Sequence, residues 1–217
     1  MFRDRADAAN ALAAALQGWR GSRPLVLAIP RGAVPMGAII ARALEGDLDV
    51  VLTRKLGAPG HKEFAIGAVA ESGWTRIEDY ASRTGADEDY IAHEVEAQMQ
   101  RMRERRASYT GAAPPIDPAG RIVIVVDDGL ATGSTMIVAL HATREKYPQR
   151  LICAVPVAPP VTVERVAQHC DEVVCLQQPL DFQAVGQFYF NFTQVEDEEV
   201  VAALKAARAE KGLSVQR

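Results

Sequence analysis

The run Ile122-Val123-Ile124-Val125-Val126 restricts the possible folds more than any other stretch of this chain. Five β-branched side chains in succession favour extended backbone, and no polar residue alternates with them, so the strand they form is buried on both faces. Strands of that kind belong to parallel sheets layered between helices. The residues after the run agree: the chain passes Asp127 and Asp128, then Ala131-Thr132-Gly133-Ser134-Thr135, and reads as a helix from Thr135 to about Lys146.

Other segments repeat the strand-to-helix step. Leu25 to Ile29 is a strand broken by Pro30 and followed by Arg31-Gly32; a helix then runs from about Pro35, where a missing N–H costs nothing, to Leu44. Leu48 to Leu52 is a second strand, ending in Thr53-Arg54-Lys55. Ahead of both, Ala8, Leu12, Ala15, Leu16 and Trp19 make one stripe of an opening helix over residues 4 to 19. Residues 56 to 85 are the least regular: Gly57, Pro59 and Gly60 mark a loop, Ala65 to Ala70 suits a short strand, and Ser72-Gly73 signals a turn. A long helix is predicted from about Asp87 to Tyr109 with Ile91, Val95, Met99 and Met102 as its apolar seam. The Pro-rich stretch Ala112 to Pro118 links it to the β-branched strand. Strands at about Leu151 to Val157 and Glu172 to Leu176 flank a helix near 160 to 168, and a last helix covers about Asp197 to Lys211. The fold class expected is α/β, a parallel central sheet with helices on both faces, in one domain spanning residues 1–217.

Composition narrows the function. The 217 residues are 48% hydrophobic and 24% charged, ordinary values for a packed globular chain. A formal net charge of −4 leaves no broad electrostatic footprint for nucleic acid. No stretch reaches the length of a membrane span, and the charged N-terminal residues lack the apolar run of a signal peptide, so a soluble cytoplasmic protein is expected. The three cysteines, Cys153, Cys170 and Cys175, have no metal-ligand spacing, and Cys153 and Cys175 sit in apolar runs that suit buried free thiols.

In a parallel sheet, ligands sit beyond the carboxyl ends of the strands, where Asp127 and Asp128 lie. The Ala131–Thr135 turn opens a helix, so its N–H groups and hydroxyls suit a phosphate. It is not a Walker A loop, because no Lys follows Gly133 at the required place. The bland alternatives are a capping acid beside a solvated one, or the phospho-acceptor pocket of a receiver domain, whose following loop differs from this one. Two carboxylates would repel an adjacent phosphate unless they faced sugar hydroxyls or a metal ion. A phosphorylated ribose meets both halves of the loop.

Val125 to Thr135, "VVDDGLATGST", resembles the 5-phosphoribosyl-1-pyrophosphate (PRPP) binding motif of type I phosphoribosyltransferases. Pro30-Arg31-Gly32, Thr53-Arg54-Lys55 and the glycine-rich region after them come in that family's order, and the resemblance extends to "FRDR" at the start and "DFQAVGQFY" late in the chain. It implies transfer of 5-phosphoribose from PRPP to a nucleobase or similar nitrogen acceptor, as in nucleotide salvage, with release of pyrophosphate. The alternative is a PRPP- or nucleotide-sensing regulator without catalysis.

Carried over, Asp127 and Asp128 bind the ribose hydroxyls, and Ala131, Thr132, Gly133, Ser134 and Thr135 hold the 5′-phosphate. Arg31 and Gly32 bind pyrophosphate through a cis peptide between them, joined by Arg54 and Lys55. Mg²⁺ arrives with PRPP and is held through it, with Asp127 and Asp128 as candidate direct contacts. A mobile loop at about 57–73 supplies an acid or base, Glu63 ahead of Glu71. A hood at about 178–195, built with the N-terminal segment, brings Phe182, Phe188, Tyr189 and Phe190 to the base, Tyr189 foremost. Relatives that use 6-oxopurines carry an acid where this chain has Ala131, so hypoxanthine and guanine are expected to be poor acceptors. Arg101, Arg103, Arg105 and Arg106 read as a solvated helix face, compatible with a homodimer contact. Neither nucleic acid nor membrane is an expected partner.

Overall fold

A computed structural model describes residues 1–111 and 113–214, so Ala112, the first residue of the expected linker, lies outside it. In order, the elements are α1 (Arg5–Ala15), β1 (Leu25–Ala28), α2 (Ala33–Ala43), β2 (Asp47–Val50), β3 (Thr53–Ala58), β4 (His61–Ala70), β5 (Thr75–Ile77) and α3 (Glu88–Thr110). After these come β6 (Ile122–Val126), α4 (Ser134–Arg144), β7 (Arg150–Val157), α5 (Pro160–Ala167), β8 (Glu172–Gln177) and α6 (Asp197–Ser214). The opening helix is shorter than its apolar stripe suggests. Asp4 caps it by accepting the Asp7 N–H at 2.8 Å, and a short 3-10 turn at Gln17–Trp19 carries the rest.

Five strands form the expected parallel sheet in the order β2-β1-β6-β7-β8. Alternate side chains of the inner strands enter two different cores. Val26, Ala28, Ile124, Val126, Ile152 and Ala154 pack with residues of α1, α2 and α6. Leu25, Leu27, Val123, Val125, Leu151 and Cys153 pack with residues of α4 and α5. Both layers remove apolar surface from water, which is why β6 needs β-branched residues throughout. All three cysteines are free thiols, with Cys153 buried and Cys170 and Cys175 half-buried. No helix among the described residues is long and apolar enough to cross a membrane.

Of the stretch expected as a mobile loop at 57–73, Ala65 to Ala70 is strand as expected, and the strand begins earlier, at His61, where a loop was expected. β3, β4 and β5 make a second, antiparallel sheet, with Pro59 and Gly60 in the hairpin turn between β3 and β4. One side of it packs on α4, where Ala68 and Ala70 meet Val138 and Ala142; Leu56, Ile66 and Val69 join the core that includes Met102 of α3. Its glycines mark close backbone approach. A Cβ on Gly57 would sit 2.5 Å from the Lys62 carbonyl oxygen, and one on Gly67 would collide with that of Arg76. The hairpin is also tethered: Tyr90 donates to the Gly57 carbonyl at 2.7 Å, and Lys62 pairs with Glu94 of α3 at 2.5 Å.

Arg106 does not belong to a solvated face. It reaches Asp49 Oδ1 at 2.9 Å and the Val50 carbonyl at 2.8 Å, and it pairs with Glu71. Asp49 is 1% exposed, so this guanidinium supplies the positive charge that its burial requires. Glu71 is thereby committed to structure and withdrawn from the acid–base role expected of it.

Candidate active site

The strand order reverses direction between β1 and β6, which makes their carboxyl ends the topological switch point of the sheet. Two loops meet there: Pro30–Gly32 after β1 and Asp127–Gly133 after β6. They touch at one point. Gly32 lies against the Asp128 carboxylate, so that a Cβ at position 32 would collide with Oδ2 and stand 3.0 Å from Arg5 Nε. Gly32 itself is the N-cap of α2 with helical dihedrals (φ −55°, ψ −36°), so close approach is what position 32 demands. The cis peptide falls one bond earlier than expected, between Pro30 and Arg31 rather than between Arg31 and Gly32. The Arg31–Gly32 bond leads straight into the helix.

Arg5, to which sequence reasoning assigns no role, holds Asp128. Its Nε and Nη2 donate to Asp128 Oδ2 at 2.9 and 2.7 Å, and its Nη1 donates to the Thr193 carbonyl at 2.5 Å. The guanidinium lies 3.8 Å from the Phe192 ring centroid. Asp127 is nearer the core and accepts the Asp128 N–H at 2.9 Å. Burial, then the negative charge of Asp128, holds the Asp127 carboxyl well above the usual carboxylate range. Burial also raises Asp128, against the pull of Arg5. The pair therefore resists full ionisation unless a ligand brings positive charge or hydroxyl donors.

Beyond the pair, Gly133 takes φ +73° as the N-cap of α4, and no side chain caps the helix. The first-turn N–H groups are thus left for a ligand at the positive end of the helix dipole. Thr132 and Ser134 hydroxyls lie 3.3 Å apart at the same turn, and Thr162 steadies the loop by donating to the Ala131 carbonyl at 2.7 Å.

Residues 178–195 lie over this end of the sheet and are stitched to the N-terminus. Phe2 donates to the Phe188 carbonyl at 2.8 Å and accepts from Phe190 N–H at 2.9 Å, while Asn191 N–H donates to Arg3. A hood built from both ends of the chain is therefore present. Tyr189 is not its free aromatic face, because it is buried, with its hydroxyl donating to the Asp128 carbonyl at 2.6 Å and its ring against Phe2 and Phe192. Phe190 and Phe192 are the exposed aromatics there.

Comparison with known proteins covers the same part of the chain. The model of the phosphoribosyl transferase domain matches residues 3–193, which include both loops and nearly all of the hood. The chain belongs to the phosphoribosyl transferase domain family. A Mycobacterium tuberculosis protein whose name places it among the phosphoribosyl transferases is 40% identical over 211 residues, 95% of this chain and 47% of that protein. The chain thus spans about half the length of the curated relatives it matches. The crystal structure of TT1426 from Thermus thermophilus shares 46% identity and a TM-score of 0.79, covering 94% of this chain and 97% of that one.

For a phosphoribosyl transferase domain, the remaining expected site residues stand unevenly. Arg31 Nη1 is 3.3 Å from Glu196 and 3.9 Å from Asp197, so its guanidinium faces the acidic first turn of α6. Arg54 points toward α3, where its Nε donates to Gln98 at 3.1 Å. Lys55 is exposed on β3, and Glu63 is exposed on β4, next to the Lys62 that is tied to α3. The structure therefore gathers Gly32, Asp127, Asp128 and the Ala131–Thr135 loop at one end of the sheet.

Proposed function

We propose that this chain transfers 5-phosphoribose from PRPP to a ring nitrogen of a nucleobase-like acceptor, with release of pyrophosphate. The observation that carries the reading is the acid pair beside an uncapped helix N-terminus at the sheet's switch point. The α4 amides with the Thr132, Ser134 and Thr135 hydroxyls take the 5′-phosphate. Asp127 and Asp128 take the ribose hydroxyls and stabilise positive charge at C1 as its bond to the pyrophosphate oxygen breaks. Pyrophosphate leaves with the bonding electrons toward Arg31, Arg54 and Lys55, and the acceptor nitrogen bonds C1 and gives up its proton. Glu63 is the proposed carrier of that proton, because its carboxylate lies free on the hairpin.

Among the described residues no three His, Cys, Asp or Glu side chains are grouped to hold a metal ion. Two carboxylates, one already held by Arg5, suit Mg²⁺, which keeps most of its ligands as water and substrate oxygens. Bound with PRPP, it would neutralise the diphosphate. The free thiols support a reducing, cytoplasmic setting. Ala131 offers no acid to a 6-oxopurine, which supports adenine-like acceptors over hypoxanthine and guanine.

Pyrophosphate release from PRPP, measured with adenine, hypoxanthine, guanine and uracil for wild type and Glu63→Gln, tests the reading. Turnover is expected with adenine-like acceptors and loss of about a hundredfold or more in Glu63→Gln. Fast turnover of hypoxanthine by both proteins would remove the acceptor and Glu63 assignments. PRPP binding without release of pyrophosphate for any acceptor would leave a sensor in place of an enzyme.

A further inference from the structure

At the opposite end of α4 from the small-residue loop, two histidines face each other. His141 Nε2 of α4 lies 2.9 Å from Nδ1 of His169, in the turn after α5, with ring centroids 4.8 Å apart. His141 is also stacked on Trp74, at 4.2 Å between centroids and 8° between planes. Trp74 is presented by the turn between β4 and β5, where Gly73 takes φ +89° and the Ala70 N–H donates to the Trp74 carbonyl at 2.9 Å. The three half-buried rings thus join the second sheet to α4 and to the end of α5.

The rest of that docking face is thin. Its buried side chains are Ala68, Ala70, Val138 and Ala142, and Trp74 is the large apolar group packed on them, so the indole supplies much of the surface this face removes from water. The same sheet reaches the start of α4, where Ser134 donates to Glu78 Oε1 at 3.4 Å. Charge around the histidines is mostly positive. Arg76 of β5 and Arg165 of α5 face them, with Glu145 at the α4 C-cap as the acid on the His141 side. Arg76 lies 3.7 Å from Glu78, and the flanking Arg144 and Asp171 hold each other at 2.8 Å. Burial and then Arg76 hold the His141 pKa below the usual histidine value; burial, then His141, Arg76 and Arg165, do the same to His169.

The bond between the rings needs a donor nitrogen on one and a bare nitrogen on the other. One added proton is tolerated, because a cationic ring still donates to a neutral one. A second leaves two N–H groups aimed at each other and two like charges in contact. We propose that His141 and His169 form a proton-operated clasp, which holds Trp74 and the second sheet on α4 while one ring stays neutral and releases them when both are charged. Both folded pKa values lie below the unfolded one, so the clasped form binds fewer protons. Its stability is complete above the unfolded value of about 6.5 and is lost as pH falls from there through the folded values. Neither histidine belongs to the candidate active site, so the clasp does not depend on the transferase reading.

Tryptophan fluorescence of the whole chain carrying Trp19→Phe, in which Trp74 is the remaining indole, tests the clasp between pH ~8 and pH ~5. On acidification the Trp74 emission is expected to shift to the red and open to acrylamide quenching, while far-ultraviolet circular dichroism holds. His169→Gln keeps a hydrogen-bonding group but takes no proton, so its Trp74 should stay shielded at the lower pH, and His169→Lys should expose Trp74 already at the higher one. Equal shielding at both ends of the range in the folded Trp19→Phe protein, or an acid transition unchanged in His169→Gln, would overturn the clasp. Histidine NMR titration of the unsubstituted chain needs no variant: His141 and His169 are expected to titrate one after the other, both below about 6.5, and a single shared step at or above that value would overturn it as well.

Discussion

Replacing Gly32 by alanine separates two opposed effects. Its backbone is helical, so alanine fits without strain, and the loss of unfolded-state freedom alone stabilises by about 0.4–1 kcal/mol. Against this, the new methyl collides with Asp128 Oδ2 and stands 3.1 Å from its Cγ and 3.0 Å from Arg5 Nε. Asp128 cannot simply swing aside, because two guanidinium N–H groups hold that same oxygen at 2.9 and 2.7 Å. Overpacking of this kind costs about 1–3 kcal/mol, so the clash should win by about 1–2 kcal/mol. Gly18→Ala is the control, since a Cβ there meets nothing within 4 Å. Urea titrations with an unchanged m-value should show Gly32→Ala losing stability and Gly18→Ala keeping or gaining it. PRPP affinity should fall about tenfold in Gly32→Ala only. A Gly32→Ala protein as stable as wild type, with unchanged PRPP affinity, would refute the contact between the two loops.

Asp127 has a folded pKa raised well above its unfolded value, so the stability it contributes in acid is lost as pH rises through the folded pKa. Asp127→Asn should therefore be more stable than wild type near pH ~8, with the gap closing toward pH ~4, as read from denaturant midpoints; a wild-type advantage at the higher pH counts against this. Arg106→Ala leaves Asp49 buried without its cation and should cost about 3–5 kcal/mol in chemical denaturation, most of it recovered when Asp49→Asn is added. Arg5→Ala should speed hydrogen exchange at the Phe190 and Asn191 amides while amides of β6 and β7 stay protected. Equal exchange in both proteins would mean that Arg5 does not hold the hood.

The central sheet is readable in the sequence because β6 is buried on both faces, a demand that only a continuous β-branched run meets. The acid pair and the small-residue loop are readable for the same reason, since both come directly after that strand. The hairpin is not. Gly57 looks like a loop residue by propensity, whereas it serves a bulged strand whose backbone passes too closely for a Cβ. Helical periodicity finds the apolar seam of α3 but passes over Glu94 and Gln98, which are buried because each satisfies the other and a cation beyond. Arg5 and Asp128 stand 123 residues apart, and nothing local in "FRDR" points to the acid that its second arginine meets. Sequence places Tyr189 in the right element but gives it the wrong task, because a single aromatic in a hood segment does not reveal whether its hydroxyl is already bonded.

The pairing of β1 with β6 sets Leu25 beside Val123, so the edge on which the whole site depends is closed by segments distant along the chain. Such closures come slowly, since their loop entropy is spent before any contact repays it. During synthesis, a chain that has not reached β6 already holds Arg5 and Gly32, yet it has neither Asp127 and Asp128 nor the small-residue loop that follows them. The loops that meet at Gly32 and Asp128 therefore come together only once β6 lies beside β1.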